Sequence, residues 1–358
     1  MVFKNIGFLK FAIMLSIIMH HSRDIYHLPS WLGNFENCKV CPDLFFVISG
    51  FLLFYTFNYE LSTFDYAQKR FLRLAPNLWL LVLLMIVLTM FIPAINSHFN
   101  DNILRLFLLH CVGFEPISGG TYMNITWYIS ALFWVSLFYF YISKIFDKKF
   151  LNIIIGIIVM LCFALYMQHT SFLAGGHIEN YYLIFNGGIC KALASMGLGY
   201  FICMAYKYGF LQNIGIAGKV VISVAEIYIL SFLTYYLIFA DKIAGKSAMV
   251  FIVLFSILFY LFLIKKGIVS KFLENNISNI LGQYVYSMYC FHIIVLAVFI
   301  RYVYVNYYQI ILLHPFRFFM SEVSIALILG VIMYYIFERP VAKYIKKKRI
   351  SRCSPIIC

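Results

Sequence analysis

The chain has 358 residues, of which 63% are hydrophobic and only 12% charged, with a formal net charge of +14. A soluble domain usually carries about 25% charged residues, so the shortfall excludes a water-soluble globular domain and leaves lipid as the solvent for most of the surface. The positive balance does not point to nucleic acid, because the basic residues fall in short groups between apolar segments, the pattern of membrane topology.

A spanning helix needs about 20 mostly apolar residues. That criterion predicts ten spans, at 5–22, 41–58, 74–95, 125–143, 150–168, 182–205, 219–240, 247–264, 280–300 and 320–338. The expected fold is an all-α integral membrane protein, a bundle of about ten transmembrane helices, with residues 1–345 as its membrane domain and 346–358 as a basic cytoplasmic tail. The stretch from Leu104 to Val112 is apolar but too short to span and reads as interfacial or re-entrant. With the amino terminus inside, twenty of the 28 lysines and arginines fall on the cytoplasmic side, seven outside, and Lys191 within the sixth span. This asymmetry predicts a multi-pass protein of the cell inner (plasma) membrane with both termini cytoplasmic.

The first span, LKFAIMLSIIMHHS, holds Lys10 and His21. Eleven steps at 100° each make three turns plus about 20°, so both side chains share one face, about 16 Å apart along the axis. His20 lies about 80° away and is the poorer partner. The segment lacks a signal-peptide cleavage site and Lys10 interrupts it, so it reads as a span. Ionisable groups inside a membrane are costly and usually functional; the plainer reading has Lys10 snorkelling to the inner surface and His21 capping the outer end.

The second span, PDLFFVISGFLL, carries Asp43 near its outer end and Ser49 beside Gly50, a small pair that admits a neighbouring backbone. Before it, Cys38 and Cys41 form a CxxC, but none of the nine cysteines supplies a second pair, so no zinc site is expected. In YAQKRFLRLAPNLW, Lys69, Arg70 and Arg73 are neighbours on a helix surface. They suit topological anchoring or the phosphates of a cytoplasmic ligand. Pro76 predicts a break or a first helical turn. Further on, His292 stands within the apolar, aromatic ninth span, and Glu338 with Arg339 meets the inner boundary before a tail from Lys346 to Arg349 that suits anionic lipid headgroups.

Taken in order, these motifs resemble the acyltransferase 3 family of membrane-bound O-acyltransferases that modify surface polysaccharides. Lys10 and His21 are similar to its basic-x10-His signature, with Lys where Arg is commoner. DLFFVISGFLL resembles its FFxxSGF element, KRFLRLAPNLW its cytoplasmic basic motif, LGQYVYSMYCFH its SYSLYLxH element, and FERP its terminal ERP. TWYISALF aligns with a segment that often reads WSLSVE, which makes Trp127 a further candidate and puts Leu132 where a Glu is expected. The resemblance implies ten spans, acetyl-CoA as donor without a metal, and a saccharide or lipid-linked glycan as acceptor, with membrane lipids around it, no nucleic acid partner, and a homodimer left open. It implies His21 as general base or transient acyl carrier, Lys10 against the donor, Asp43 orienting the histidine, and Lys69, Arg70 and Arg73 on the CoA phosphates. Ser49, Trp127, His292 and Glu338 are the remaining candidates. The competing classes are a transporter or lipid-linked sugar flippase, which predicts internal repeats, and a polyprenyl-phosphate glycosyltransferase, for which Asp24 and Glu36 are the available acids.

Overall fold

A computed structural model describes residues 3–23, 26, 32–92, 95, 104–111, 126–169, 180–182, 185–240 and 245–353. Every predicted span has a helix. They are α1 (Lys4–Arg23), α2 (Cys41–Tyr55), α3 (Thr63–Phe91), α4 (Trp127–Ile145), α5 (Lys148–His169), α6 (Gly187–Lys207), α7 (Ile216–Ile238), α8 (Gly245–Ile264), α10 (Asn276–Val298) and α12 (Pro315–Met333). A short α9 (Ile268–Phe272) precedes α10, α11 (Tyr304–Leu313) follows it, and α13 (Arg339–Cys353) closes the described chain. The chain is thus an all-α membrane bundle, and among the described residues eight helical stretches are long and apolar enough to cross a bilayer. The one described pair of strands, Asn180–Tyr182 with Phe185–Asn186, is a short antiparallel ribbon leading into α6.

Side-chain caps set several helix starts. Ser62 accepts from the Asp65 amide, Asn186 from Ile189 and Asn275 from Ser278, each satisfying a first-turn N–H. Pro42 occupies the first turn of α2, where its missing N–H costs nothing. Pro76 behaves otherwise than expected: α3 neither breaks nor begins there but runs through it from Thr63. A proline inside a helix costs about 3 kcal/mol; here Leu74, Ala75, Asn77 and Leu78 around it are buried, and Tyr286 donates a hydrogen bond to the Leu74 carbonyl. Lys69, Arg70 and Arg73 therefore lie on the N-terminal part of α3 itself.

The buried middle of the bundle is α2 against α6, with α1 against α10 beside it, and α12 packed on α10. Glycines set both principal crossings. A Cβ on Gly50 would fall 2.2 Å from the Met196 carbonyl oxygen, and one on Gly7 would fall 2.1 Å from that of Ser278. By contrast α5 and α7 present Ile153, Ile157, Met160, Val220, Val221 and Val224 outward, the faces lipid would cover. At the start of α1 Glu274 accepts from Lys265 and from the Asn5 amide (3.0 Å), tying α1 to the α8–α10 turn. Partial burial pushes this carboxyl up, but the bonds from Lys265 and Asn5 outweigh it and hold Glu274 below the usual carboxylate range.

The short segment after Leu104 packs against α3 and α4, its Leu106 and Leu108 carbonyls accepting from Trp79 (2.8 Å), Trp134 (2.7 Å) and Ser130 (2.6 Å). Two helical continuations were not expected: a π-turn at Phe299–Val303 carries α10 on into α11, and another at Tyr334–Glu338 joins α12 to α13. The boundary expected at position 345 falls within α13.

Candidate active site

The contact of Gly7 with Ser278 fixes the relation between two distant histidines. Fourteen residues separate Gly7 from His21 and fourteen separate Ser278 from His292, a rise of about 21 Å on each helix. The result is a stacked pair: the His21 and His292 rings have centroids 5.8 Å apart and planes 27° apart. His20 stands 5.1 Å from His21 and, through Nδ1, donates to the Phe35 carbonyl at 2.9 Å. That carbonyl belongs to the turn before α2, so His20 anchors a loop while His21 keeps the face toward α10.

Toward the end of the bundle where α1 begins lies a cavity of about 530 Å³. Lys10, Arg70 and Arg73 bring three cations to its wall, Ser49 of α2 lines it, and Glu338 from the π-turn is the acid among its lining residues. Leu132 also lines it, so the position where the family often has Glu is an apolar part of this wall. A second cavity of about 380 Å³ shares Arg73 and Glu338 with the first and adds Lys69, Asn77 and Lys346. The Glu338 carboxylate accepts from Ser287 Oγ and from Asn77 Nδ2 (3.1 Å), which joins α10, α3 and the π-turn at the meeting of the two cavities.

Neither His21 nor His292 lines these cavities. Two tyrosines stand between. Tyr128 and Tyr289 line the larger cavity with their rings 5.3 Å apart, and the Tyr289 ring lies 5.9 Å from that of His292. Lys10 thus lines the larger cavity, while His21 lies beyond the aromatic pair, stacked on His292.

Asp43 belongs to a different group. Its carboxylate pairs with Lys191 of α6 at 2.9 Å, both side chains 1% exposed, and accepts from Ser195 Oγ at 3.3 Å. The Lys191 ammonium lies 5.9 Å from the Trp127 ring. The structure therefore gives Asp43 and Trp127 a shared partner in Lys191 rather than in His21. Lys191 and Ser195 are four apart, one helix face, and that spacing opposite an acid in a span was the available signal. A further missed residue is Glu322, buried in α12, which accepts from Ser22 Oγ and Tyr26 OH, each at 2.9 Å, with Ser22 directly following His21 in α1. An isolated acid in a predicted span is itself a warning of function. Glu36, one of the acids a glycosyltransferase would use, is taken up by ion pairs with Arg23 and Lys39; Asp24 lies outside the described residues.

The model of an acyltransferase domain, that of acyltransferase 3, matches residues 3–337. The chain belongs to the acyltransferase 3 family. The match takes in α1 to α12 and most of the lining of the larger cavity, so the acyltransferase 3 domain is nearly the whole of the described bundle, Glu338 and α13 apart. Neither the curated proteins nor the solved structures contain a match to the chain. Membership in the acyltransferase 3 family makes the chain a membrane acyltransferase.

Proposed function

We propose that this acyltransferase moves an acetyl group from acetyl-CoA, on the cytoplasmic side, to a sugar hydroxyl of a surface polysaccharide or its lipid-linked precursor on the outer side of the inner membrane. The observation that carries the reading is the cavity walled by Lys10, Arg70 and Arg73, which ends at the tyrosines in front of a histidine pair. CoA presents phosphates at one end and a thioester at the other. Arginine forks suit phosphate, and a volume of this size is typical of small-molecule sites. In this reading Arg70 and Arg73, with Lys69 beside them, hold the phosphates, while Lys10 stands deeper, against the thioester end of the donor. The charge asymmetry of the loops supports a cytoplasmic mouth, with both termini on the same side.

His21 is then the residue at which the acyl group meets the acceptor, as base on the hydroxyl or as a transient acyl carrier. Tyr128 and Tyr289 must part to let the thioester pass. Asp43 enters by holding Lys191 and so the α2–α6 contact, and Glu338 by fixing the inner wall. Purified protein should bind labelled acetyl-CoA, and cells lacking the protein should lose O-acetyl signals from the NMR spectrum of their surface glycans. Absence of acetyl-CoA binding, with glycans missing from the surface rather than merely unacetylated, would instead identify a flippase.

A further inference from the structure

The proton inventory of the histidine pair is uneven. His292 is buried, and its Nδ1 faces two main-chain carbonyls, Tyr289 at 2.8 Å and Met288 at 3.2 Å. A carbonyl only accepts, so Nδ1 carries the proton and Nε2 carries the lone pair. Among the described residues that Nε2 has no hydrogen-bond partner. A buried acceptor without a donor costs about 1–3 kcal/mol, and it persists here on a ring stacked against His21. The group that satisfies it must bring an O–H or N–H.

If the protein is the O-acyltransferase proposed, that group is the acceptor alcohol. We propose that His292 Nε2 is the base that takes the hydroxyl proton, leaving His21 to carry the acyl group. In the first half, a His21 nitrogen bonds to the thioester carbon, the C–S bond breaks, and the sulfur leaves with its electron pair and takes the displaced imidazole proton as CoA thiol. In the second half, the alcohol's proton passes to His292 Nε2 while its oxygen bonds to the acyl carbon. The C–N bond breaks, and His21 recovers its electron pair and then the proton from His292. Both rings end as they began. The main-chain bonds to Nδ1 pre-set the tautomer this requires, so His292 needs no rearrangement before it accepts a proton.

The test uses membranes from the host cell, which contain the acceptor, supplied with [14C]acetyl-CoA; label is counted on the glycan and on the protein. The variants are H292F, H292Q, which keeps a hydrogen-bond acceptor but loses the basic nitrogen, and H292F/H21A. At wild-type abundance and acetyl-CoA binding, H292F and H292Q should each lose 10²-fold or more of the glycan label. Label should remain on the H292F protein and vanish from H292F/H21A. Glycan labelling by H292F within threefold of wild type overturns the proposal, as does full rescue by H292Q, which marks a packing role. Loss of glycan label with none on the protein also overturns it, because His292 would then act before the acyl group reaches His21. Wild-type membranes that bind no acetyl-CoA and label nothing would bring down the acyltransferase reading itself.

Discussion

Replacing Gly7 by Ala tests whether the α1–α10 crossing is what aligns the histidines. The added Cβ would sit 2.1 Å from the Ser278 carbonyl oxygen and 2.9 Å from its carbon, both backbone atoms that no rotamer change can move aside. Ordinary contact begins near 3.4 Å, so one helix must retreat by about 1.3 Å at the crossing. Overpacking of this kind costs about 1–3 kcal/mol, and a misplacement of about 1 Å in a reacting group costs roughly 100-fold in rate. G7A should therefore lower the thermal midpoint in detergent by several degrees and cut acetyl transfer in membranes by one to two orders of magnitude. Binding of acetyl-CoA at Arg70 and Arg73 should change less. The control is G156A on α5, whose Cβ meets one side-chain atom at 3.7 Å and should be silent in both assays. A G7A protein as stable and active as G156A would refute the claim that this contact sets the register of His21 on His292.

Breaking the Asp43–Lys191 pair by D43N strands a buried ammonium, which should cost about 3–5 kcal/mol; the double variant D43N/K191M should melt above D43N, and a lower melt would contradict the pairing. R70A and R73A should each weaken acetyl-CoA binding ten- to hundredfold, as loss of a hydrogen bond to a charged group does, with a shallower salt dependence than wild type in a titration. Glu274 has its carboxyl held down, so its contribution to stability is present above the unfolded value near 4.5 and is lost as pH falls through the lower folded one. E274Q should therefore be less stable than wild type at neutral pH and close to it in strong acid, read from melts across pH 3–7; a constant gap would remove the linkage.

The helices were legible because lipid demands about twenty apolar residues in a row, a local property. The common face of Lys10 and His21 was legible for a similar reason, since eleven helical steps nearly close three turns. What pairs with what was less so. Asp43 meets Lys191 across 148 residues because Gly50 and Gly199 let α2 and α6 touch, and sequence spacing carries no trace of that contact. Pro76 looked like a boundary because its missing N–H is a local cost, whereas the burial of Leu74, Ala75, Asn77 and Leu78 around it is tertiary. The aromatic pair of Tyr128 and Tyr289 was hidden among 28 tyrosines until the fold set one against the other.

The proposed transfer across the bilayer requires His21 to join a cytoplasmic thioester to an outer alcohol. Inside-out vesicles from the host, with the cytoplasmic face outward, can be given [14C]acetyl-CoA and assayed for label on enclosed glycan. Wild-type vesicles should label it, and H21A vesicles with equal protein and equal acetyl-CoA binding should not. Label of equal amount in both, or label confined to the outer face, would contradict that role for His21.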